Sequence, residues 1–143
     1  MAILPLTPNK NRELRRYALA SGETPVDGGV VLLVAGEVTV AGVDPAVVLG
    51  FATAVEPASL TFDPYGGDVL VWVAYPGSTF WMKGTSNPVL ANIGVQYGIT
   101  VVSEVAQVDI TDTTNLVLVV EDIDTDWNMF EVSVLASVRQ LQA

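Results

Sequence analysis

The residues of this 143-residue chain whose spacing most resembles a metal site are three alternating aspartates, Asp122, Asp124 and Asp126. An EF-hand loop has oxygen ligands at its first, third and fifth positions, glycine at the sixth and glutamate at the twelfth. The three aspartates match the first, third and fifth positions, but Trp127 and Ser133 occupy the positions where the glycine and the glutamate are required. We therefore interpret this stretch as a solvated loop between two strands and expect no metal there. A weak cation site of another kind is the alternative.

The composition removes most catalytic chemistry. The chain has no histidine and no cysteine, which excludes the commonest general base, the thiol nucleophile and the metal sites built on those residues. It also lacks the Gly-x-Ser-x-Gly and Ser-x-x-Lys patterns that accompany an activated serine. We expect no catalytic residues, no cofactor and no enzyme activity. A hydrolase built on two carboxylates is the alternative, because 16 acidic residues offer many pairs.

The charge is unevenly placed along the chain. The formal net charge is −10, from 6 basic and 16 acidic residues. Four of the basic residues lie within the first sixteen positions: Lys10, Arg12, Arg15 and Arg16. Against Glu13 they give this segment a net of +3, whereas two cations against 15 acids give the remainder a net of −13. Such asymmetry suggests a basic arm that docks on an acidic protein surface. A merely solvated terminus is the alternative.

The same charge balance bears on nucleic acids and membranes. The acidic remainder of the chain repels phosphate, so we expect no nucleic-acid partner. No uninterrupted apolar run approaches the roughly 18 residues of a membrane span. The basic residues follow the first short apolar run instead of preceding a long one, so no signal peptide is expected either.

Short apolar runs separated by turn residues predict many strands. These runs are Val30–Val34, Glu37–Ala41, Val47–Ala54, Leu60–Phe62, Asp68–Ala74, Thr79–Lys83, Gly94–Val102, Val105–Ile110, Leu116–Glu121 and Glu131–Val138. Only Asn11–Ala20 has helix-forming composition, and it can form a short helix or lie extended. Within Gly94–Val102 we predict a break near Gly98, and we interpret Thr111–Asn115 as an Asx or Ser/Thr turn and Asp122–Asn128 as turn-like. We predict an all-β fold, an antiparallel β-sandwich or barrel. Residues 1–20 would form the N-terminal basic arm, extended or short helical, and residues 21–143 the β-rich domain.

Three tryptophans are candidates for contacts with other molecules. Trp72 lies inside an apolar strand and is interpreted as a core residue. Trp81 and Trp127 lie nearer loops, which makes them candidates for a subunit or partner interface. A carbohydrate-stacking surface is the alternative for the same two residues.

The order of segments along the chain resembles a known family. A basic arm precedes Ala35–Gly42 (AGEVTVAG) and Val48–Ala54 (VLGFATA), and later come Gly94–Thr100 (GVQYGIT), Val108–Asp112 (VDITD) and Phe130–Gln140. In the order and composition of these segments the chain resembles the head decoration, or capsid cement, proteins of tailed bacteriophages. The resemblance covers most of residues 20–143. Other β-rich virion proteins, such as tail components, share it.

The resemblance implies a non-enzymatic protein, made in the host cytoplasm, that binds the outer capsid surface of the virion and stabilises the head. Its partners would be the major capsid protein and further copies of itself, commonly as a trimer. The basic arm (Lys10, Arg12, Arg15 and Arg16) would grip the capsid. The residues support a structural role independently, because no catalytic constellation is present and the apolar β-rich body can bury surface between subunits. A carbohydrate-binding β-sandwich module is the alternative function.

Overall fold

A computed structural model describes residues 6–56 and 68–141, and the regular secondary structure of this part of the chain is almost entirely β-strand. Its eleven strands are β1 (Leu6–Pro8), β2 (Leu14–Ala18), β3 (Val30–Val34), β4 (Glu37–Val40), β5 (Gly50–Glu56), β6 (Asp68–Val73), β7 (Phe80–Met82), β8 (Gln96–Val102), β9 (Val105–Asp109), β10 (Leu118–Asp124) and β11 (Met129–Val134). One 3-10 turn, η1, covers Leu90–Asn92. No described helix could span a membrane. The predicted strand Leu60–Phe62 lies outside the described residues.

The eleven strands form two sheets, and each of these strands pairs with its neighbours in antiparallel fashion. One sheet has six strands in the order β1-β7-β11-β10-β8-β9, and the other has five in the order β2-β6-β5-β3-β4. Isolated parallel bridges join Leu19 to Val38 and Gly84 to Val108, so strands far apart in each order approach one another. Such curling reduces the open sheet edge. The prediction of an all-β antiparallel sandwich or barrel is confirmed.

Alternating apolar side chains fill the interior and join the two sheets. Along β6, Val69, Val71 and Val73 are fully buried in one apolar cluster. A larger cluster contains Phe51 of β5 and Phe80 of β7, whose rings meet edge to face at 4.9 Å between centroids. Because β5 and β7 belong to different sheets, this aromatic contact ties the sheets together.

The N-terminal segment contributes an edge strand to each sheet. The strand β1 pairs with β7 at the edge of the six-stranded sheet, and β2 pairs with β6 at the edge of the five-stranded sheet. Between them the chain crosses from one sheet to the other. The Asn9 amide donates to the Thr79 carbonyl (2.9 Å), and the Val73 amide donates to the Glu13 carbonyl (2.9 Å). Of the two forms predicted for this segment, the structure shows the extended one.

Two details of the strand prediction were wrong. We predicted a break near Gly98, but β8 runs through it, because residues 98–102 pair without interruption with β9. We also interpreted Asp122–Asn128 as a turn, but Asp122–Asp124 belong to β10 and pair with Met129–Glu131. Cross-strand pairing therefore overrides the local preference of glycine and aspartate for turns.

Candidate docking surfaces

The four cations of the N-terminal segment form one exposed feature, which we call the basic strip: Lys10, Arg12, Arg15 and Arg16. All four side chains are exposed. Arg15 and Arg16 lie on β2, and Lys10 and Arg12 lie on the crossing between β1 and β2. The predicted residues are therefore presented by backbone that is hydrogen-bonded into both sheets.

The strip divides into an anchored half and an open half. Arg15 Nη1 donates to the Tyr75 hydroxyl at 2.8 Å, and Arg16 Nη1 donates to Asp68 Oδ2 at 3.1 Å. Asp68 is almost fully buried, so Arg16 neutralises a carboxylate that would otherwise be costly to bury. Within residues 6–56 and 68–141, the side chains of Lys10 and Arg12 make no hydrogen bond or ion pair. These two cations are the ones best placed to reach another molecule.

A buried glutamate fixes the start of the strip. Glu131 on β11 is 4% exposed and accepts hydrogen bonds from Thr79 Oγ1 (2.8 Å) and from Asn9 Nδ2. The Thr79 hydroxyl in turn accepts from the Lys10 amide at 3.1 Å. Glu131 and Thr79 are buried, so their hydrogen bonds are complete only while Asn9 and Lys10 stay in place. Our sequence reasoning missed this network, since nothing in the local pattern around Glu131 links it to Asn9, 122 positions away.

The two candidate interface tryptophans lie together. Trp81 and Trp127 line one cavity of about 190 Å³, which we call the aromatic groove, with Thr7, Asp124 and Met129. Cross-strand pairing produces this arrangement, because Thr7 pairs with Trp81 and Asp124 pairs with Met129. Trp81 is half-buried, whereas Trp127 is 41% exposed. Trp72 packs against the core, as predicted.

One of the three alternating aspartates, Asp124, caps a turn. Asp124 Oδ1 accepts hydrogen bonds from the backbone amides of Asp126 (2.9 Å) and Trp127 (3.1 Å). The turn that follows is completed by Asn128, which has a φ of 53°, in the left-handed region that asparagine tolerates. In the part of the chain that is described, no group of three or more acidic, histidine or cysteine residues could hold a metal ion.

A carboxylate pair that sequence reasoning did not single out lies beside Gly98. A side chain at Gly98 would place its Cβ 2.5 Å from Asp44 Oδ1 and 2.6 Å from Asp112 Oδ2, so only glycine allows both carboxylates to lie there. Asp44 Oδ1 is buried without a hydrogen-bond donor. A cavity of about 270 Å³ is lined by Asp44 but not by Asp112.

The pair has opposite electrostatic environments. Burial, and next the neighbouring Asp112 carboxylate, raise the pKa of Asp44. Backbone amides of Asn115 and Thr114 donate to Asp112 and lower the pKa of that carboxyl. These amide bonds confirm the Asx turn predicted for Thr111–Asn115. The two shifts have opposite signs, so Asp44 binds a proton more readily than Asp112, and a protonated Asp44 can donate to the Asp112 carboxylate.

The chain has no significant match among protein-family models, curated proteins or solved structures. The resemblance to capsid decoration proteins thus stays a prediction.

The raised pKa of Asp44 gives a testable pH dependence. The contribution of neutral Asp44 to the free energy of unfolding is fully present below pH 3.8, the ordinary pKa of the group. It is lost as pH rises through the raised folded-state pKa, because the ionised carboxylate is partly buried beside Asp112. Asp44→Asn cannot ionise, so the variant should unfold at a higher temperature than the wild type at pH 7. The difference should vanish near pH 3. Circular dichroism melts across this range measure both.

Asp126→Asn is the matched control. Like Asp44→Asn it removes one carboxylate, but Asp126 is exposed and lies in another part of the fold. It should leave the pH profile of the melting temperature nearly unchanged. A melting temperature of Asp44→Asn at or below the wild-type value at pH 7 would show that the ionised pair is not destabilising.

Proposed function

We propose that this protein is a non-enzymatic virion protein that decorates the outer surface of a tailed-bacteriophage head and stabilises it by binding the major capsid protein. The observation that carries the proposal is the basic strip, a set of exposed cations at the edge of an otherwise strongly acidic chain. An acidic partner surface is attracted to the strip and repelled by most of the remainder, which defines one docking orientation.

The rigidity of the strip supports this role. A flexible arm loses conformational entropy when it docks, at roughly 1–2 kcal/mol for each backbone residue ordered. Here β1, β2 and the crossing between them are already hydrogen-bonded to the two sheets. The strip therefore meets its partner with little further ordering of the backbone.

An exposed apolar turn supports assembly into a homo-oligomer, which we propose to be a trimer. Val89, Leu90 and Ile93 are 56%, 79% and 40% exposed, and they lie in and around η1. Exposed apolar groups that cluster in this way mark contact surfaces more often than isolated ones do. Several copies held together would each bring one basic strip, and linked sites gain avidity through their effective concentration.

Charge reversal of the open half of the strip tests the capsid contact. The double variant Lys10→Glu/Arg12→Glu should fold normally, because both residues are exposed and neither side chain makes a hydrogen bond or ion pair within the described residues. Its affinity for undecorated heads of the phage that encodes it should fall at least about tenfold, since attraction becomes repulsion. Co-sedimentation of the protein with such heads at low and high salt measures the loss.

Substitutions are preferable to truncation here, since removing residues 1–16 would delete β1 and most of β2. Lys83→Glu is the control, because it makes the same kind of charge change outside the strip. Equal occupancy of the heads by the double variant and the wild type would contradict the proposed role of the strip.

A second substitution tests the proposed oligomer. Leu90→Glu places a charge on the most exposed large apolar residue described. It should shift the protein from trimer to monomer in light scattering at micromolar concentration, because a charge cannot be buried unpaired in an interface. Val34→Glu, at another exposed apolar position (54%), should leave the mass unchanged. A monomeric wild type would contradict the assembly.

A further inference from the structure

The aromatic groove is a preformed surface whose residues are distinct from the basic strip. Thr7, Trp81, Asp124 and Met129 are held by paired strands, and Trp127 follows directly on the turn that Asp124 caps. The walls are therefore two indole side chains and one thioether, and Thr7 and Asp124 supply the polar groups. A site of this kind is ready to bind without rearrangement of the backbone.

The size of the groove restricts its occupant. Its volume of about 190 Å³ is smaller than the roughly 300–1,000 Å³ of pockets that enclose a whole small molecule. It therefore suits a single side chain presented by a larger partner.

The charge around the groove selects a cation. Asp124 uses Oδ1 to cap the turn, and Oδ2 accepts no hydrogen bond from the described residues. Asp122 and Asp126 flank it in sequence, and the buried Glu131 lies directly across from Trp81 in the sheet. Two cations, Lys10 and Lys83, lie within three positions of a groove-lining residue in the described sequence. With Glu121, three positions before Asp124, five carboxylates against these two cations give a negative local field.

We propose that the aromatic groove binds an arginine side chain presented by an extended segment of a partner protein. The planar guanidinium stacks on an indole face, and its in-plane N–H groups donate to Asp124 Oδ2 and to the Thr7 hydroxyl. Lysine binds less well, because a compact ammonium does not stack as a plane. A neutral sugar would stack on the indole rings, but it would not be attracted by the negative field. This inference does not rest on the proposed capsid role.

The test uses the full-length protein and two peptides, each with one central residue flanked by glycines. One peptide carries arginine and the other carries citrulline, which has a nearly identical shape but no charge. In proton–nitrogen NMR spectra the indole N–H signals of Trp81 and Trp127 should shift saturably with the arginine peptide. The signal of Trp72, which packs against the core, should stay in place and serves as an internal control. The citrulline peptide should bind at least about tenfold more weakly.

Two variants locate the contact within the groove. Asp124→Asn keeps an oxygen to cap the turn but removes the charge, and Trp127→Ala removes one wall. Each should weaken binding of the arginine peptide at least about tenfold. Asp126→Asn is the matched control, because it removes an equal charge from the same turn without lining the groove. Because Asp126 adds only to the general field and contacts no occupant of the groove, this variant should weaken binding at most about twofold.

Several results would overturn the inference. Equal binding of the two peptides, or no saturable shift of either groove indole, would exclude an arginine site. An equal loss in Asp126→Asn would reduce the effect to general charge attraction. Shifts of the two groove indoles with maltose or chitotriose, and none with the arginine peptide, would assign the groove to carbohydrate. Shifts that grow with protein concentration and disappear in Lys10→Glu/Arg12→Glu would assign it to a second copy of this chain.

Discussion

The attachment of residues 6–18 to both sheets is the constraint on which the rest of this structure depends. The segment supplies an edge strand to each sheet and passes between them, where the buried Glu131 carboxylate holds Asn9 and Thr79. Without this network Glu131 would be buried with no donor, and the loop that carries Thr79 would lose its bonds to the crossing. The same residues therefore cover the sheet edges and determine where the basic strip lies.

This arrangement explains how one acidic chain can present two surfaces of opposite sign. Arg15 and Arg16 contact Tyr75 and Asp68 of their own chain, so they fix the strip, whereas Lys10 and Arg12 extend from the crossing. The aromatic groove begins at Thr7, on the strand just before that crossing. Docking of a cationic segment in the groove and of the basic strip on an acidic surface would involve one continuous edge of the molecule.

The fold class could be predicted from the sequence because short apolar runs and turn residues are local signals. Val30–Val34 and Asp68–Val73 form strands close to where those signals placed them. The edge strands β1 and β2 were not predicted as strands, since Leu14–Ala18 carries two arginines and little β-forming sequence. Their conformation is imposed by pairing with β7 and β6, which only the folded chain supplies.

The candidate sites follow the same division between local and long-range information. The exposed cations and the two candidate interface tryptophans could be named from residue type and neighbourhood. That Trp81 and Trp127 share a groove with Asp124 depends on the registers of β7, β11 and β10, which the sequence pattern does not contain. The Asp44–Asp112 pair likewise depends on the missing side chain at Gly98, because that position brings two distant loops together.

Hydrogen exchange of the free protein tests most directly the central claim that the basic strip is built into the fold before any partner binds. We expect slow exchange for the amides of Asn9 and Lys10 and for those amides of β2 that bond to β6, comparable to that of Val73 and Thr79, to which the segment is bonded. Fast exchange throughout residues 6–18, together with protection of both sheet interiors, would contradict it and would show that the segment is a detached arm in solution.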